Sequence, residues 1–302
     1  MKFLKTNCAI CNSKNNYDIV YKQNFKYSDL NPKIFSARRL PDRVHFQIVK
    51  CKKDGLIRSN PVIKELNLPY LYKKSKFTYD AEVNNLIKSY LKSLLPILKN
   101  ISRKSRILEI GCGNGFVLEK LYKLGYKNVY GIEPSIDAVR KANTLIKKNI
   151  SVNILKTGLY KQNTFDFIFF FQTLDHISNP NSFLKICNSY LKDGGYILAF
   201  NHNVNSFSSL LLREKSPIID IEHPYLYNFT TVKQIFEKNG FVSERLYSPS
   251  NVVSFRHLLE LFPLPLAFKQ SVINSKKPLI KKFLAKSISI KLGNLCAIAK
   301  KI

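Results

Sequence analysis

The chain has 302 residues, 45% of them apolar, which gives it the length and composition to bury a core and excludes a disordered chain. Its 49 Lys+Arg against 20 Asp+Glu give a formal net charge of +29, which favours anionic partners: nucleic acid, an acidic membrane surface or phosphorylated substrates. The basic residues form no single tract, so a compositional bias accounts for the charge equally well.

No window reaches the ~18 apolar residues of a spanning helix. Polar residues and cysteines interrupt MKFLKTNCAIC too early for a secretory h-region. The expected location is cytoplasmic, with contact at the inner membrane face as a second expectation. Six cysteines in a chain of this size are no disulfide framework, and Cys112, Cys187 and Cys296 lie in core-like elements.

The first part, to about Pro69, is polar and turn-rich, with Asn31-Pro32 and Asn60-Pro61 as punctuation. Short strands are predicted at residues 18–21 and 45–51. A linker with Tyr70, Tyr72 and Tyr79 leads to a predicted helix over residues 80–98, where Val83, Leu86, Ile87, Tyr90, Leu91, Leu94 and Leu95 recur at helical spacing.

From Arg106 the pattern alternates. RILEIG predicts a strand, GFVLEKLYKLG a helix closed by Gly125, and NVYGIE a second strand. Residues 135–148 predict one helix with Ser135 as N-cap. VNILKT predicts a third strand, and the continuously apolar FDFIFFF a fourth, buried on both faces. NPNSFLKICNSYLKDGG predicts a helix with a glycine stop, then YILAFN a fifth strand. TTVKQIFEKNG, FVSERLYS and NLCAIAK predict a helix and two further strands, with an apolar and basic helical insertion at about 254–289. Such alternation implies a doubly wound parallel sheet.

In such a sheet the ligand sits at the carboxyl ends of the strands, where strand order reverses. The first strand-to-helix turn, Glu109-Ile110-Gly111-Cys112-Gly113-Asn114-Gly115, is that place. A dinucleotide loop needs G-x-G-x-x-G, and a P-loop needs Lys after its last glycine, where Phe116 stands. Glu109 would repel a pyrophosphate and suits a ligand with an ammonium group.

This loop resembles the E/D-x-G-x-G-x-G signature of class I S-adenosylmethionine-dependent methyltransferases. Glu133 stands where that family places an acid on both ribose hydroxyls. Phe165-Asp166-Phe167-Ile168, Thr173-Leu174-Asp175-His176-Ile177, Tyr190 to Gly195, His223-Pro224-Tyr225 with Asn239-Gly240-Phe241, and Asn294-Leu295 follow in the family's order, over roughly residues 78 to 302. The resemblance implies an α/β, Rossmann-like, doubly wound fold, with a mostly parallel seven-stranded sheet and an antiparallel last strand. It implies S-adenosylmethionine as cofactor, held by Glu109, Gly111, Gly113, Glu133, Gly158, Leu159 and Gln172. One step departs from the pattern: Lys156-Thr157-Gly158-Leu159 lacks the acid that contacts adenine, leaving backbone groups and Leu159 for that role.

Cys8-x-x-Cys11 and Cys51, with Asp54 in the fourth cysteine's place, resemble the N-terminal zinc-ribbon-like module ahead of some bacterial methyltransferases acting on sugars and glycan precursors. Cys8, Cys11 and Cys51 are the candidate zinc ligands, with Asp54 or His45 as the fourth. The expected division is a cysteine-containing module and linker at 1–75 and a methyltransferase domain at 76–302.

A hydroxyl or carbon acid needs a base, and a histidine can take a proton at neutral pH. His176, His202 and His223 lie past the fourth and fifth strands and are the catalytic candidates. In the insertion, Pro263 and Pro265 break any continuous amphipathic helix, which favours a packed lid over a membrane-lying helix. The expected acceptor is a small molecule, a sugar or a glycan- or lipid-linked precursor, with nucleic acid not expected. The alternatives are an RNA methyltransferase and an inactive methyltransferase-like binding protein.

Overall fold

FDFIFFF is the strand around which the molecule is laid. Phe167, Ile168, Phe169 and Phe170 are fully buried, and alternate residues face opposite cores. Ile168 and Phe170 pack with Phe183, Leu184 and Ile235 on one side. Phe167 and Phe169 pack with Val117, Leu118 and Leu198 on the other. A strand covered by helices on both faces has no polar side to show, hence the unbroken apolar run.

The structure is a computed structural model that describes residues 3–26, 44–63, 83–262, 264–291 and 293–302. In chain order come β1 (Phe3–Leu4), β2 (Tyr17–Tyr21), β3 (Ile48–Cys51), β4 (Ile57–Ser59), β5 (Val62–Ile63) and helix α1 (Val83–Leu98). Next are β6 (Ile107–Ile110), α2 (Phe116–Lys123), β7 (Val129–Glu133), α3 (Ile136–Arg140), α4 (Thr144–Lys147), β8 (Ile150–Val152) and β9 (Phe165–Phe171). Then follow α5 (Pro180–Tyr190), β10 (Leu191–His202), α6 (Phe207–Leu212), β11 (Tyr225–Leu226), α7 (Phe229–Lys238) and β12 (Phe241–Tyr247). The chain closes with β13 (Asn251–Ser254), α8 (Phe255–Leu261), α9 (Leu266–Ile273), α10 (Pro278–Ala285), β14 (Ser287–Ile290) and β15 (Asn294–Lys301).

The main sheet has seven strands in the order β12-β15-β10-β9-β6-β7-β8. The pairs from β10 to β8 are parallel, and β15 runs antiparallel between β10 and β12. The expected seven-stranded, mostly parallel sheet with its antiparallel last strand is therefore present. β6 has β7 on one side and β9 on the other, so strand order reverses at the end of β6, where the glycine loop begins.

A second sheet, β11-β4-β3-β2, joins the N-terminal strands to β11 of the later chain, with Tyr225 opposite Arg58. Cys8, Ala9, Cys51 and Leu56 share a core cluster with Phe170 and Phe183. The Asn181 amide donates to Ala9 O (2.8 Å), and Lys238 Nζ donates to Ile10 O (2.6 Å). The N-terminal segment thus lies against α5 and α7.

Four local expectations are corrected. Residues 135–148 form two short helices, because Asn143 starts a new one by accepting from Leu145 N–H while Ser135 caps the first. The third strand covers only Ile150–Val152, and Lys156 O is held by the Tyr190 hydroxyl (2.6 Å) instead of the sheet. α5 ends before any glycine; Gly194 and Gly195 sit in an irregularity of β10 between Leu191 and Tyr196. The insertion is not helical throughout: it is three helices on a β13–β14 hairpin, and among the described residues the helices contact mainly one another and the hairpin, so the expected packing over the site is not seen there. Asn31-Pro32, Pro69, Tyr70, Tyr72, Tyr79, residues 80–82, the expected 75/76 boundary and Pro263 lie outside the described residues. Among the described residues, no helix is long and apolar enough to cross a membrane.

The tightest approach beneath the glycine loop is at Gly131 of β7. A Cβ there would meet Cys112 Sγ at 2.6 Å and Leu118 Cδ1 at 2.9 Å. Gly131→Ala is expected to cost about 1–3 kcal/mol by overpacking, read as a lower urea midpoint with an unchanged slope.

Candidate cofactor and acceptor site

Two carboxylates meet under the glycine loop. Glu109 lies in β6 and Glu133 ends β7, both almost fully buried. Gly113 N–H donates to Glu133 Oε2 and Ser135 N–H to Oε1, each at 2.8 Å. These bonds fix Glu133 at the mouth of the loop. Gly111, Gly113 and Gly115 all have positive φ, 74°, 56° and 73°, which an L side chain adopts only at a cost. At Gly111 a Cβ would also stand 2.7 Å from Thr173 Oγ1, so the loop is pulled tight against the end of β9.

Three buried acceptor oxygens, Glu109 Oε2, Asn114 Oδ1 and Gln172 Oε1, have no hydrogen-bond partner among the described residues. Buried polar atoms are rarely left so, and acceptors alone call for a ligand rich in donors. An ammonium and hydroxyl groups meet that demand; a phosphate does not. Burial pushes the Glu109 carboxyl well above the usual range, and the neighbouring Glu133 adds to this. Glu133 is raised by burial, against the pull of the Ser135 and Gly113 N–H groups. A cation bound beside Glu109 would favour its charged form.

Gln172 takes φ 48° where β9 ends, with its N–H on Phe200 O (2.7 Å) and Nε2 on Asn294 Oδ1 (3.2 Å). A non-glycine residue held in that region marks a place the fold over-determines. Gly158 also has positive φ and open space around it, and Leu159 N–H donates to the Tyr190 hydroxyl (3.0 Å). Tyr190 thus holds the Lys156–Leu159 turn, where the sequence lacks the acid that the resemblance would place against adenine.

The three histidines converge. Asp175 and His176 lie in the turn after β9, His202 ends β10, and His223 lies just before β11. The His223 ring centroid is 4.5 Å from that of His176 and 5.1 Å from that of His202. The residue that ties them was not singled out from sequence. Asp175 is 1% exposed; its Oδ2 lies 2.7 Å from His202 Nδ1, and its Oδ1 accepts from Asn201 Nδ2 at 2.8 Å. Its one sequence signal was an acid beside a histidine directly beyond the fourth strand.

Burial alone would raise Asp175, but the His202 hydrogen bond and the surrounding imidazoles hold it well below the usual carboxylate range. Burial pulls His176 down to about 3 and lowers His223 as well. His223 Nδ1 faces Ile218 O at 2.9 Å. A carbonyl there requires a proton on Nδ1 and leaves Nε2 as the acceptor. The carboxylate does the same for His202. Tyr225 is an anchor: its hydroxyl donates to Asn7 O (3.1 Å).

Cys8, Cys11, Cys51 and Asp54 offer one ligand atom each, all within 4.8 Å of one another. Cys11 Sγ lies 3.6 Å from Cys51 Sγ, and Cys8 Sγ lies 3.1 Å from Asp54 Oδ1. The two half-sites are alike in backbone. Asn12 follows Cys11 with φ 62° and Gly55 follows Asp54 with φ 78°, so the Asp54 turn repeats the cysteine knuckle. Three thiolates and a carboxylate suit zinc. His45 is not the fourth donor; its nitrogens face Phe46 O (2.8 Å) and Glu214 Oε1 (3.1 Å).

The methyltransferase domain family matches residues 79–246. The chain belongs to this methyltransferase family. It is 30% identical over 122 residues to a ubiquinone biosynthesis O-methyltransferase of Colwellia psychrerythraea, covering 38% of this chain and 49% of that one. It is 28% identical to a malonyl-[acyl-carrier protein] O-methyltransferase of Ilyobacter polytropus, over 54% of this chain and 64% of that one. A tRNA U34 carboxymethyltransferase of Vibrio cholerae is 27% identical over 51% of this chain and 49% of its own length. The methyltransferase chain therefore spans roughly half to two thirds of these curated relatives. Their names include a tRNA enzyme, so they give no support to the expectation that set nucleic acid aside. A Bacillus halodurans chain assigned to the methyltransferases covers 70% of this chain and 98% of its own, at 17% identity and TM-score 0.50, a likeness of fold alone.

If Glu109 must ionise to receive an ammonium group, S-adenosylmethionine binding releases a proton and tightens as pH rises through its raised pKa. Isothermal titration in buffers of different ionisation enthalpy is expected to show that release. Glu109→Gln is expected to abolish it and weaken binding by about tenfold or more.

Proposed function

We propose that this chain transfers a methyl group from S-adenosylmethionine to a small-molecule acceptor, a sugar or a glycan- or lipid-linked precursor. The observation that carries the acceptor side is the buried Asp175–His202 pair beside His223, at the strand edge that holds the glycine loop. When bound, the cofactor supplies an electrophilic methyl group and its own leaving group. Glu109, Gly111, Gly113, Glu133 and Gln172 hold it, with Gly158 and Leu159 at the adenine end.

A hydroxyl acceptor loses its proton as its oxygen bonds the methyl carbon. His202 Nε2 takes that proton, since Asp175 keeps the Nδ1 proton in place and offsets the charge on the resulting imidazolium. His223, neutral at physiological pH, is the second acceptor-side base. His176, pulled down to about 3, stays neutral and serves as the face on which His223 rests. Asp175 acts through His202 and is a positioning residue.

We assign residues 76–302 to transfer and residues 1–75 to support. The Cys8, Cys11, Cys51 and Asp54 set would hold zinc as a structural ion. Ser59 N–H donates to Pro224 O (2.9 Å), and β4 pairs with β11, so stiffening the cysteine knuckles stiffens the segment that presents His223.

A cell extract incubated with tritiated S-adenosylmethionine and the protein, then fractionated, tests the acceptor class. Counts are expected in glycan or lipid; counts in RNA overturn that assignment and install the tRNA-like reading. With the acceptor in hand, Asp175→Asn is expected to lower kcat by roughly 10²–10⁴-fold with little change in KM and to shift the acid limb of the pH profile. An unchanged limb would mean that Asp175 is only structural.

Elemental analysis is expected to find one zinc per chain, lost in Cys51→Ser, with a lower Tm after chelation. A metal-free protein whose Tm ignores chelator would rule the ion out.

A further inference from the structure

The three-helix insertion leaves apolar surface that no part of the described chain covers. Leu279 is 82% exposed and Leu266 68%; Phe262, Phe268 and Phe283 are each just over half exposed. Leu279, Phe262, Phe268 and Phe283 help line an open cavity of about 510 Å³, together with apolar residues such as Leu258, Leu259, Val272, Ile280 and Leu284. Apolar patches of this kind on a folded chain mark an interaction surface.

The charge beside the patch narrows the partner. Residues 255–289 carry seven Lys and Arg and one acid, Glu260. Arg256 Nε and His257 Nδ1 already engage that acid, at 3.2 and 3.4 Å. Lys276, Lys277, Lys281, Lys282 and Lys286 are exposed, and on α10 two of them stand beside Leu279 and Phe283. A second copy of this chain would bring the same cations face to face, within a total of +29 on each. Nucleic acid would leave the leucines and phenylalanines in water. An anionic bilayer offers hydrocarbon and negative charge on one surface, and short helices with apolar tips and lysine flanks satisfy both.

We propose that α8, α9 and α10 dock the protein on the surface of an anionic lipid bilayer. The placement also gives the docking a purpose. β14 leads through Gly293, whose carbonyl accepts from Asn203 N–H (2.7 Å), into β15, whose first residue Asn294 lies opposite His202. The insertion therefore springs from the sheet edge that carries the histidines. A docked protein presents that edge towards lipid-borne acceptors. Docking itself stands independently of the methyl-transfer reading.

The test is sedimentation of the full chain with vesicles of phosphatidylcholine alone and of phosphatidylcholine mixed with phosphatidylglycerol. Pelleting with the mixed vesicles only, weakened by salt, is expected. Leu279→Glu/Phe283→Glu is expected to lower partitioning by about tenfold or more. Lys281→Gln/Lys282→Gln is expected to lower it by about fivefold per charge removed. Unchanged circular dichroism and unchanged S-adenosylmethionine affinity show that the variants still fold. Pelleting with neither vesicle, equal pelleting with both, or variants that partition like the parent would overturn the proposal. So would a dimer in analytical ultracentrifugation that the Leu279→Glu/Phe283→Glu variant dissolves, which would make the patch a self-interface.

Discussion

A charge with almost no exposed surface, the Asp175 carboxylate, sits at the carboxyl end of the central strand. Burying it unpaired would cost several kcal/mol, so the chain around it is arranged to answer both oxygens. Asn201 and His202, adjacent in β10, supply the donors. That demand fixes how the His202 ring is turned and which of its nitrogens faces away from Asp175. His223 and His176 then pack around the pair in neutral form. The arrangement of the histidine cluster follows from satisfying one buried charge.

The N-terminal segment matters for the same reason. His223, the proposed second base, belongs to a stretch with little regular structure, and a side chain held for such a role needs support from elsewhere. β4 supplies it by pairing with β11, Ser59 Oγ donates to His223 O (3.4 Å), and the Tyr225 hydroxyl reaches Asn7, next to Cys8. Arg58, fully buried, ties the support together by donating to Thr6 and Lys14 and standing over Tyr17. The cysteine knuckles are thus linked mechanically to the histidine cluster through two short strands.

Elements with a strong local signature were legible in the sequence. The apolar run of β9, the glycine loop after β6 and the capped α7 owe their form to their own residues. The break between α3 and α4 was less legible, because Asn143 is an ordinary surface residue until its side chain caps a neighbour. The end of β8 was hidden as well. Nothing in Ile154-Leu155-Lys156 forbids a strand, and a tyrosine from α5 takes the Lys156 carbonyl. Convergence of His176, His202 and His223 could be expected from strand order. The role of Asp175 could not, since a carboxylate beside a histidine reads the same whether it faces solvent or a buried imidazole.

Glu109 and Asp175 make the division of labour explicit. Both are buried acids near the carboxyl ends of neighbouring strands, and residue type and burial alone give no reason to treat them differently. Their surroundings do. Glu109 gains no hydrogen bond on Oε2 and has the Glu133 carboxylate as its charged neighbour, so burial prevails and its proton affinity rises. Asp175 meets an amide donor and imidazole nitrogens, so hydrogen bonding prevails over burial and its proton affinity falls. An acid of the first kind is poised to gain from a cation that arrives. One of the second kind is already committed to a base it must hold in place. Environments that push like groups in opposite directions suit them to opposite tasks, and here they set the proposed cofactor end apart from the proposed acceptor end.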